Sequence, residues 1–163
     1  MSSPKESEQH VDGGTRMDTV TVSIPSRLEL LSLLDRLSDS IAEKMDFDDE
    51  QRSAISMSVI EAGTNAIQHG HKADRAKRVD VRFELYPDRL AVVVKDGGAG
   101  FVLKDKEHDI TTPEHLLDER GRGIYIMQMC MDQVNFEVSD SGTTVRLVKL
   151  RTTSPNGSAP PRG

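Results

Sequence analysis

The sequence predicts an α+β fold, a two-layer sandwich in which helices cover one face of a mostly antiparallel, mixed sheet. The predicted elements follow the order β-α-α-β-β-loop-α-β-β. Strands and helices therefore do not alternate, as a doubly wound parallel fold would require. The chain has 163 residues, 36% of them hydrophobic, which is enough for one domain with a real core.

The first half of this domain begins with a strand and continues with two helices. Residues 20–24 alternate apolar and polar side chains, which predicts a strand that ends at Pro25. Asp48, with Gln51 three residues on, is a favourable N-cap for the second helix, and Gly70 is expected to end that helix. The first helix carries apolar residues at helical spacing: Leu30, Leu33, Leu34, Leu37, Ile41 and Met45.

The second half contains two predicted hairpins and a third helix. Pro87-Asp88 and Asp140-Ser141-Gly142 are turns that each join two strands in antiparallel fashion. Between the hairpins, Gly121-Arg122-Gly123 is expected to open a helix. The four predicted strands are residues 79–85, 90–95, 134–138 and 145–150.

Residues 18–150 are predicted to form the domain, between disordered tails at residues 1–17 and 151–163 that have little to bury. The formal net charge of −6 argues against a nucleic-acid partner held through its phosphates. No apolar run is long enough to span a bilayer, and no apolar segment of a secretory signal is present near Met1. The single cysteine, Cys130, fits a reducing compartment. We therefore expect a cytoplasmic protein with no membrane or nucleic-acid partner.

The second helix carries a carboxylate and a carboxamide one turn apart. Glu61 and Asn65 are four residues apart and so lie on the same face. Asn65 offers an oxygen to Mg²⁺, a hard ion that commonly bridges to nucleotide phosphates. Glu61 could take a proton from an attacking hydroxyl or water. The alternative, two solvated polar residues, is weakened by the apolar residues on either side of them.

A glycine cluster follows the strand that ends near Lys95. In Asp96-x-Gly98-x-Gly100, a carboxylate at a strand end can accept a hydrogen bond from an exocyclic amine such as that of adenine. Gly98 and Gly100 would let the backbone approach a flat ring, where a Cβ would clash. An ordinary turn remains the alternative for this motif.

Two further segments complete a possible nucleotide site. Gly121 and Gly123 lie at an expected helix start, where free backbone N–H groups bind phosphate, and Arg120 and Arg122 could add positive charge. The Thr143 hydroxyl, next to Gly142, could complete a polar edge around a base. Taken singly, an ordinary loop explains the glycine pair about as well as phosphate binding does, and an ordinary strand residue explains Thr143 better than a role at a base.

In combination the motifs resemble those of the GHKL (Bergerat-fold) ATPases, and among these the bacterial anti-sigma factor serine/threonine kinases of the RsbW/SpoIIAB type. Residues 61–70, EAGTNAIQHG, look like the family's E-A-x-T-N-A-I-x-H-G segment. Residues 131–134, MDQV, are similar to its M-D-E-V, and residues 142–145, GTTV, to its G-T-x-V. The resemblance extends over residues 18–150.

This resemblance implies the GHKL fold and a serine/threonine protein kinase that uses ATP and Mg²⁺. It implies that Asn65 coordinates Mg²⁺, that Asp96 binds the adenine amine with Thr143 close by, and that a lid spans residues 104–120. Such proteins bind a sigma factor and phosphorylate a STAS-domain anti-anti-sigma factor, and a homodimer is expected. The alternative is a nucleotide-sensing module that sequesters a regulator without significant catalysis. Glu61 favours the kinase, since binding alone would not need its carboxylate.

Overall fold

A computed structural model describes residues 15, 18–70, 74, 76–97 and 119–152. Apart from residues 15, 151 and 152, the predicted tails lie outside these ranges, so their disorder stays a prediction. The strands are β1 (Asp18–Pro25), β2 (Arg78–Leu85), β3 (Arg89–Asp96), β4 (Gln133–Ser139) and β5 (Gly142–Leu150).

These strands form one sheet in the order β1-β2-β3-β5-β4. Every pairing within the described ranges is antiparallel, which confirms the α+β class and both predicted hairpins. The pairing of β3 with β5 joins strands that are not consecutive, with Lys95 opposite Thr144. This pairing brings the end of β3 and the start of β5 side by side, and both carry predicted site residues.

The helices are α1 (Leu31–Lys44), preceded by a 3-10 turn at Leu28–Leu30, then α2 (Asp49–Asn65) and α3 (Glu119–Cys130). Helix α2 continues as a π-helical turn over Ala66–Gly70, so the predicted end at Gly70 is confirmed but with a wider last turn.

The expected start of α3 at Gly121 is wrong by two residues, because the helix begins at Glu119. Backbone hydrogen bonds determine where a helix begins, and a glycine can lie inside a helix at a cost of only about 1 kcal/mol. The two glycines therefore lie within the helix and do not precede it.

The predicted N-cap of α2 is confirmed as a reciprocal capping box. The Asp48 carboxylate accepts a hydrogen bond of 2.8 Å from the backbone N–H of Gln51. The Gln51 side chain in turn accepts one of 3.4 Å from the backbone N–H of Asp48. On the next turn, Arg52 binds Asp39 of α1 with two hydrogen bonds of 2.8 Å each. These contacts fix the start of α2 against α1.

The core lies between the helices and one face of the sheet. Leu34 of α1 and Val59 of α2 are buried in the same cluster as Phe83 of β2. Leu33 departs from the predicted apolar stripe, since its side chain is 54% exposed. The other apolar residues of this stripe follow one another at spacings of three or four residues and pack into or against the core. Leu33 lies at the edge of the face that they form. Within the described ranges, no helix is both long and apolar enough to cross a membrane.

Candidate nucleotide and catalytic site

Helix α2 presents Glu61 and Asn65 to a cavity of about 330 Å³. Both side chains are half-buried, and α3 packs against this part of α2 from the other side of the cavity. The spacing of four residues therefore places the carboxylate and the carboxamide on one face of α2, as predicted, and both groups line the same cavity. The cavity is lined by Glu61, Thr64, Asn65, Gln68, Arg122, Gly123 and Ile126.

Two opposing effects act on the Glu61 carboxylate. Burial raises the pKa of Glu61, because the charged form loses contact with water, and the positive charge of Arg122 partly opposes this. The net result is a pKa above the usual glutamate value. A carboxylate with a raised pKa is a stronger base than a solvated one, which is the property that proton abstraction requires.

Asp96 and Thr143 meet on the adjacent strands β3 and β5. The backbone N–H of Thr143 donates a hydrogen bond of 3.2 Å to Oδ1 of Asp96. Both side chains are buried, with exposures of 4% and 2%. The Thr143 hydroxyl is buried and has no hydrogen-bond partner in the part of the chain that the structure describes. A buried hydroxyl normally finds a partner, so this one indicates a place for a polar ligand atom.

A second, much smaller cavity of about 10 Å³ lies at this pair. It has room for roughly one water molecule, so it must widen to admit a purine ring. Apolar side chains from the sheet and from α2 surround the polar pair, as expected for a pocket that holds a flat aromatic base. The lining consists of Ala62, Asn65, Ala66, Val94, Asp96, Phe136, Thr143 and Val145.

Gly142 is the residue that lets these two strands come together at the site. Its φ is +128°, a backbone conformation that residues other than glycine rarely adopt. A Cβ at this position would overlap the backbone carbonyl oxygen of Asp96 and would lie 2.8 Å from its Oδ1. A side chain at Gly142 would thus displace Asp96.

Asn65 lines both cavities and so lies between the apolar pocket and the Glu61 cavity. A nucleotide with its base at Asp96 and its phosphates beside Glu61 would pass this carboxamide. No group of three or more His, Cys, Asp or Glu suited to a metal occurs among the described residues. The Asn65 carboxamide oxygen is a hard ligand of the kind that Mg²⁺ prefers, and it could supply one position of a shell that phosphate and water complete.

The start of α3 brings Arg122 and Gly123 to the cavity, whereas Gly121 is half-buried and does not line it. The backbone N–H groups of the first helical positions have no partner within the helix. Gly121 falls among them, but Gly123 is the fifth residue of α3 and its N–H lies inside the helical bonding pattern.

The structure thus brings together Glu61, Asn65, Arg122 and Gly123 at one cavity and Asp96, Thr143 and Asn65 at the other. Gly98 and Gly100, the side chain of Arg120 and most of the predicted lid (residues 104–118) lie outside the described residues.

Gln68 is a lining residue that the motifs did not single out. It follows Asn65 by three residues and Glu61 by seven, so helical periodicity alone could have placed it on the same face.

Comparison with known proteins gives consistent matches. A sequence model of the histidine kinase-like ATPase domain matches residues 24–149. The serine-protein kinase RsbW of Bacillus licheniformis is 36% identical over 82% of this chain and 86% of its own length. The serine-protein kinase RsbW of Bacillus subtilis strain 168 is 33% identical over 81% and 85%.

Among solved structures, one containing RsbU and RsbW domains from Mycobacterium tuberculosis superposes with a TM-score of 0.60. The identity is 14%, and the match covers 82% of this chain and 33% of that one. At this identity the likeness concerns the fold alone.

The fold and these matches define a class, that of the histidine kinase-like ATPase domains. The chain belongs to this family, within the group of RsbW serine-protein kinases. The GHKL fold and the kinase family predicted from the motifs are thereby confirmed. The roles of the individual site residues are not tested by these matches and stay predictions.

Proposed function

We propose that this protein is an ATP-dependent serine/threonine kinase and anti-sigma factor, which binds a sigma factor and phosphorylates a STAS-domain anti-anti-sigma factor. The observation that carries the proposal is the half-buried Glu61 carboxylate, which shares a cavity with Asn65. A module that only bound nucleotide would need the pocket at Asp96 but would have no use for a base beside the phosphates.

Each residue has a defined role in this proposal. Asp96 and Thr143 bind the adenine, and Asn65 binds Mg²⁺, which neutralises charge on the phosphates of ATP. Glu61 orients the Ser or Thr hydroxyl of the partner and accepts its proton as the oxygen bonds to the γ-phosphorus and ADP leaves. Arg122 contributes positive charge at the cavity, and the first turn of α3, which contains Gly121, adds the positive end of the helix dipole, which stabilises developing negative charge.

The proposed partners follow from family membership and from the chemistry of the site. The curated relatives are named serine-protein kinases, and a solved relative joins an RsbW domain to an RsbU domain. A sigma factor and a STAS-domain antagonist are therefore the partners to test first, with the protein as a cytoplasmic homodimer.

The decisive experiment measures transfer of labelled γ-phosphate from ATP to a STAS-domain protein from the same host. We expect transfer by the unmodified protein and a loss of about 100-fold or more for Glu61→Gln, the usual contribution of a general base. The dissociation constant for Mg-ATP should stay within about threefold, since the carboxylate is not needed to hold the nucleotide. Glu50→Gln, an exposed carboxylate in the first turn of α2, is the matched control and should transfer normally.

Unchanged transfer by Glu61→Gln would show that Glu61 is not the base. Capture of a sigma factor by an unmodified protein that binds Mg-ATP but phosphorylates no STAS protein would establish the other function, that of a nucleotide-sensing binding module.

A further inference from the structure

The backbone of α3 approaches the Glu61 carboxylate so closely that no side chain fits between them. Gly123 is buried and lines the cavity opposite Glu61. A Cβ built on Gly123 would lie 2.6 Å from Oε2 of Glu61 and 3.6 Å from its Cδ. Real Cβ atoms essentially never come so near another heavy atom, so a methyl group here and the present carboxylate position exclude each other.

The same Cβ would lie 3.7 Å from Oδ1 of Asn65, which is an ordinary contact distance. The consequences of a methyl group at Gly123 would thus fall on Glu61 and not on Asn65. The atom that must move is the end of a flexible side chain, so the fold can absorb the change while the carboxylate cannot keep its position.

The place of Gly123 in the helix argues in the same direction. It is the fifth residue of α3, where backbone N–H groups bond within the helix and are not available to a phosphate. The close approach of the Glu61 carboxylate is therefore a reason for glycine at this point that does not depend on a phosphate contact.

We infer that Gly123 is a positioning residue for Glu61: the bare backbone of α3 forms the wall against which the base is held. The inference rests on the proposed kinase activity of Glu61, and it assigns Gly123 a role different from the phosphate contact expected from the sequence. It also makes the placement of α3 on α2 a determinant of where the base lies.

The test compares Gly123→Ala with Gly63→Ala, a second helical glycine. A Cβ at Gly63 would lie 2.8 Å from Cδ2 of Leu31, in the contact between α2 and α1 and away from the cavity. For Gly123→Ala we expect kcat for STAS phosphorylation to fall about 10- to 100-fold, as for a reacting group displaced by about 1 Å. The Kd for Mg-ATP should stay within about twofold, because Asn65 keeps its place. Gly63→Ala should keep both kcat and Kd.

A double-mutant cycle makes the contact itself measurable. Shortening the base by Glu61→Asp withdraws the carboxylate from the position of the added methyl group. The fall in kcat caused by Glu61→Asp should therefore be at least about threefold smaller in the Gly123→Ala background than in the unmodified protein. If the two changes multiply independently, the two residues do not act through one contact and the inference is wrong.

Failure of this inference differs from failure of the proposed function. A large rise in the Kd for Mg-ATP in Gly123→Ala would show that Gly123 contacts the phosphates and would overturn the inference, whether or not any protein is phosphorylated. Unchanged kcat in Gly123→Ala would overturn the inference while leaving the kinase intact. If the unmodified protein transfers no phosphate, the Glu61 side-chain carboxyl ¹³C resonance still decides. It should shift in Gly123→Ala and not in Gly63→Ala, and the absence of a shift would overturn the inference.

Discussion

The backbone N–H of Thr143 donates a hydrogen bond of 3.2 Å to Oδ1 of Asp96, across the pairing of β3 with β5. The two residues are 47 positions apart in the chain. This bond orients a buried carboxylate at the edge of an apolar pocket, beside a buried threonine hydroxyl. An orientation of this kind suits a carboxylate that meets one particular donor, and the proposal assigns it the exocyclic amine of adenine.

Asp96→Asn is the substitution that tests this role. The side-chain oxygen of Asn can still accept the hydrogen bond from Thr143, but an NH₂ group replaces the other oxygen and would face the amine as a second donor. We expect the Kd for ATP to rise about 10- to 100-fold, the value of one hydrogen bond to a charged group. A purine ribonucleoside triphosphate without the amine should lose much less affinity, and isothermal titration calorimetry measures both. An equal loss for the two nucleotides would show that Asp96 does not bind the amine.

The glycine that precedes Thr143 gives a prediction about stability. Gly142 has a φ of +128°, and a Cβ there would overlap the Asp96 carbonyl oxygen, which belongs to the backbone and cannot swing aside. Gly142→Ala should lower the free energy of unfolding by about 2 kcal/mol or more, as strained backbone and overpacking together do. Urea denaturation measures the change. Gly97→Ala is the control, since a Cβ at Gly97 meets nothing within 4 Å, and a similar loss there would contradict the explanation.

The parts of the fold and site that the sequence predicts are those that depend on residues close together in the chain. A spacing of four residues is sufficient to bring Glu61 and Asn65 to one face of α2, and the same periodicity includes Gln68. The capping box at Asp48 was also visible, because its partner Gln51 is only three residues away. The two hairpins followed from their turns, which lie between strands of regular alternation.

The features that the sequence does not predict depend on contacts between distant segments of the chain. The pairing of β3 with β5 joins two separate hairpins, and no local pattern specifies which strands of two hairpins become neighbours. The approach of Gly123 to Glu61 depends on how α3 packs on α2, whereas the local glycine pattern indicates only a phosphate contact. The start of α3 at Glu119 has a different explanation, because a pair of glycines indicates a helix end only weakly and can also lie inside a helix.

The pH dependence of phosphate transfer tests the charge balance at Glu61. Burial raises the pKa of Glu61 and Arg122 opposes this, so the rate should fall on acidification at a pH above the usual glutamate range. Arg122→Ala removes the opposing charge and should move this acidic limb of kcat to higher pH. Arg122→Lys keeps the charge and should leave the limb close to its original position. A limb that does not move in Arg122→Ala would mean that the titrating group is not Glu61.

The sheet face opposite the helices carries a buried carboxylate whose ionisation contributes to stability. Glu84 is 4% exposed, and Oε2 accepts hydrogen bonds of 2.9 Å from Arg146 and 3.2 Å from the Tyr86 hydroxyl. Burial alone would raise the pKa of Glu84, but Arg146, Arg82 and Tyr86 together hold it below the usual value. A lowered pKa in the folded state means that the ionised form stabilises the fold above the unfolded-state pKa, and that this stability is lost as the pH falls through the folded-state value.

Glu84→Gln should therefore lower the free energy of unfolding by about 2 kcal/mol at pH 7. Arg146 loses a charged partner, and the NH₂ group of Gln adds a hydrogen-bond donor where the neighbouring groups are also donors. The difference from the unmodified protein should shrink as the pH falls below about 4.3, where carboxylates in the unfolded chain become protonated and the unmodified protein loses the same contribution. Urea denaturation at several pH values measures it. Glu137→Gln, on an exposed position of β4, is the control and should change little at any pH. A difference that stays constant down to low pH would show that Glu84 stabilises the sheet through its shape and not through its charge.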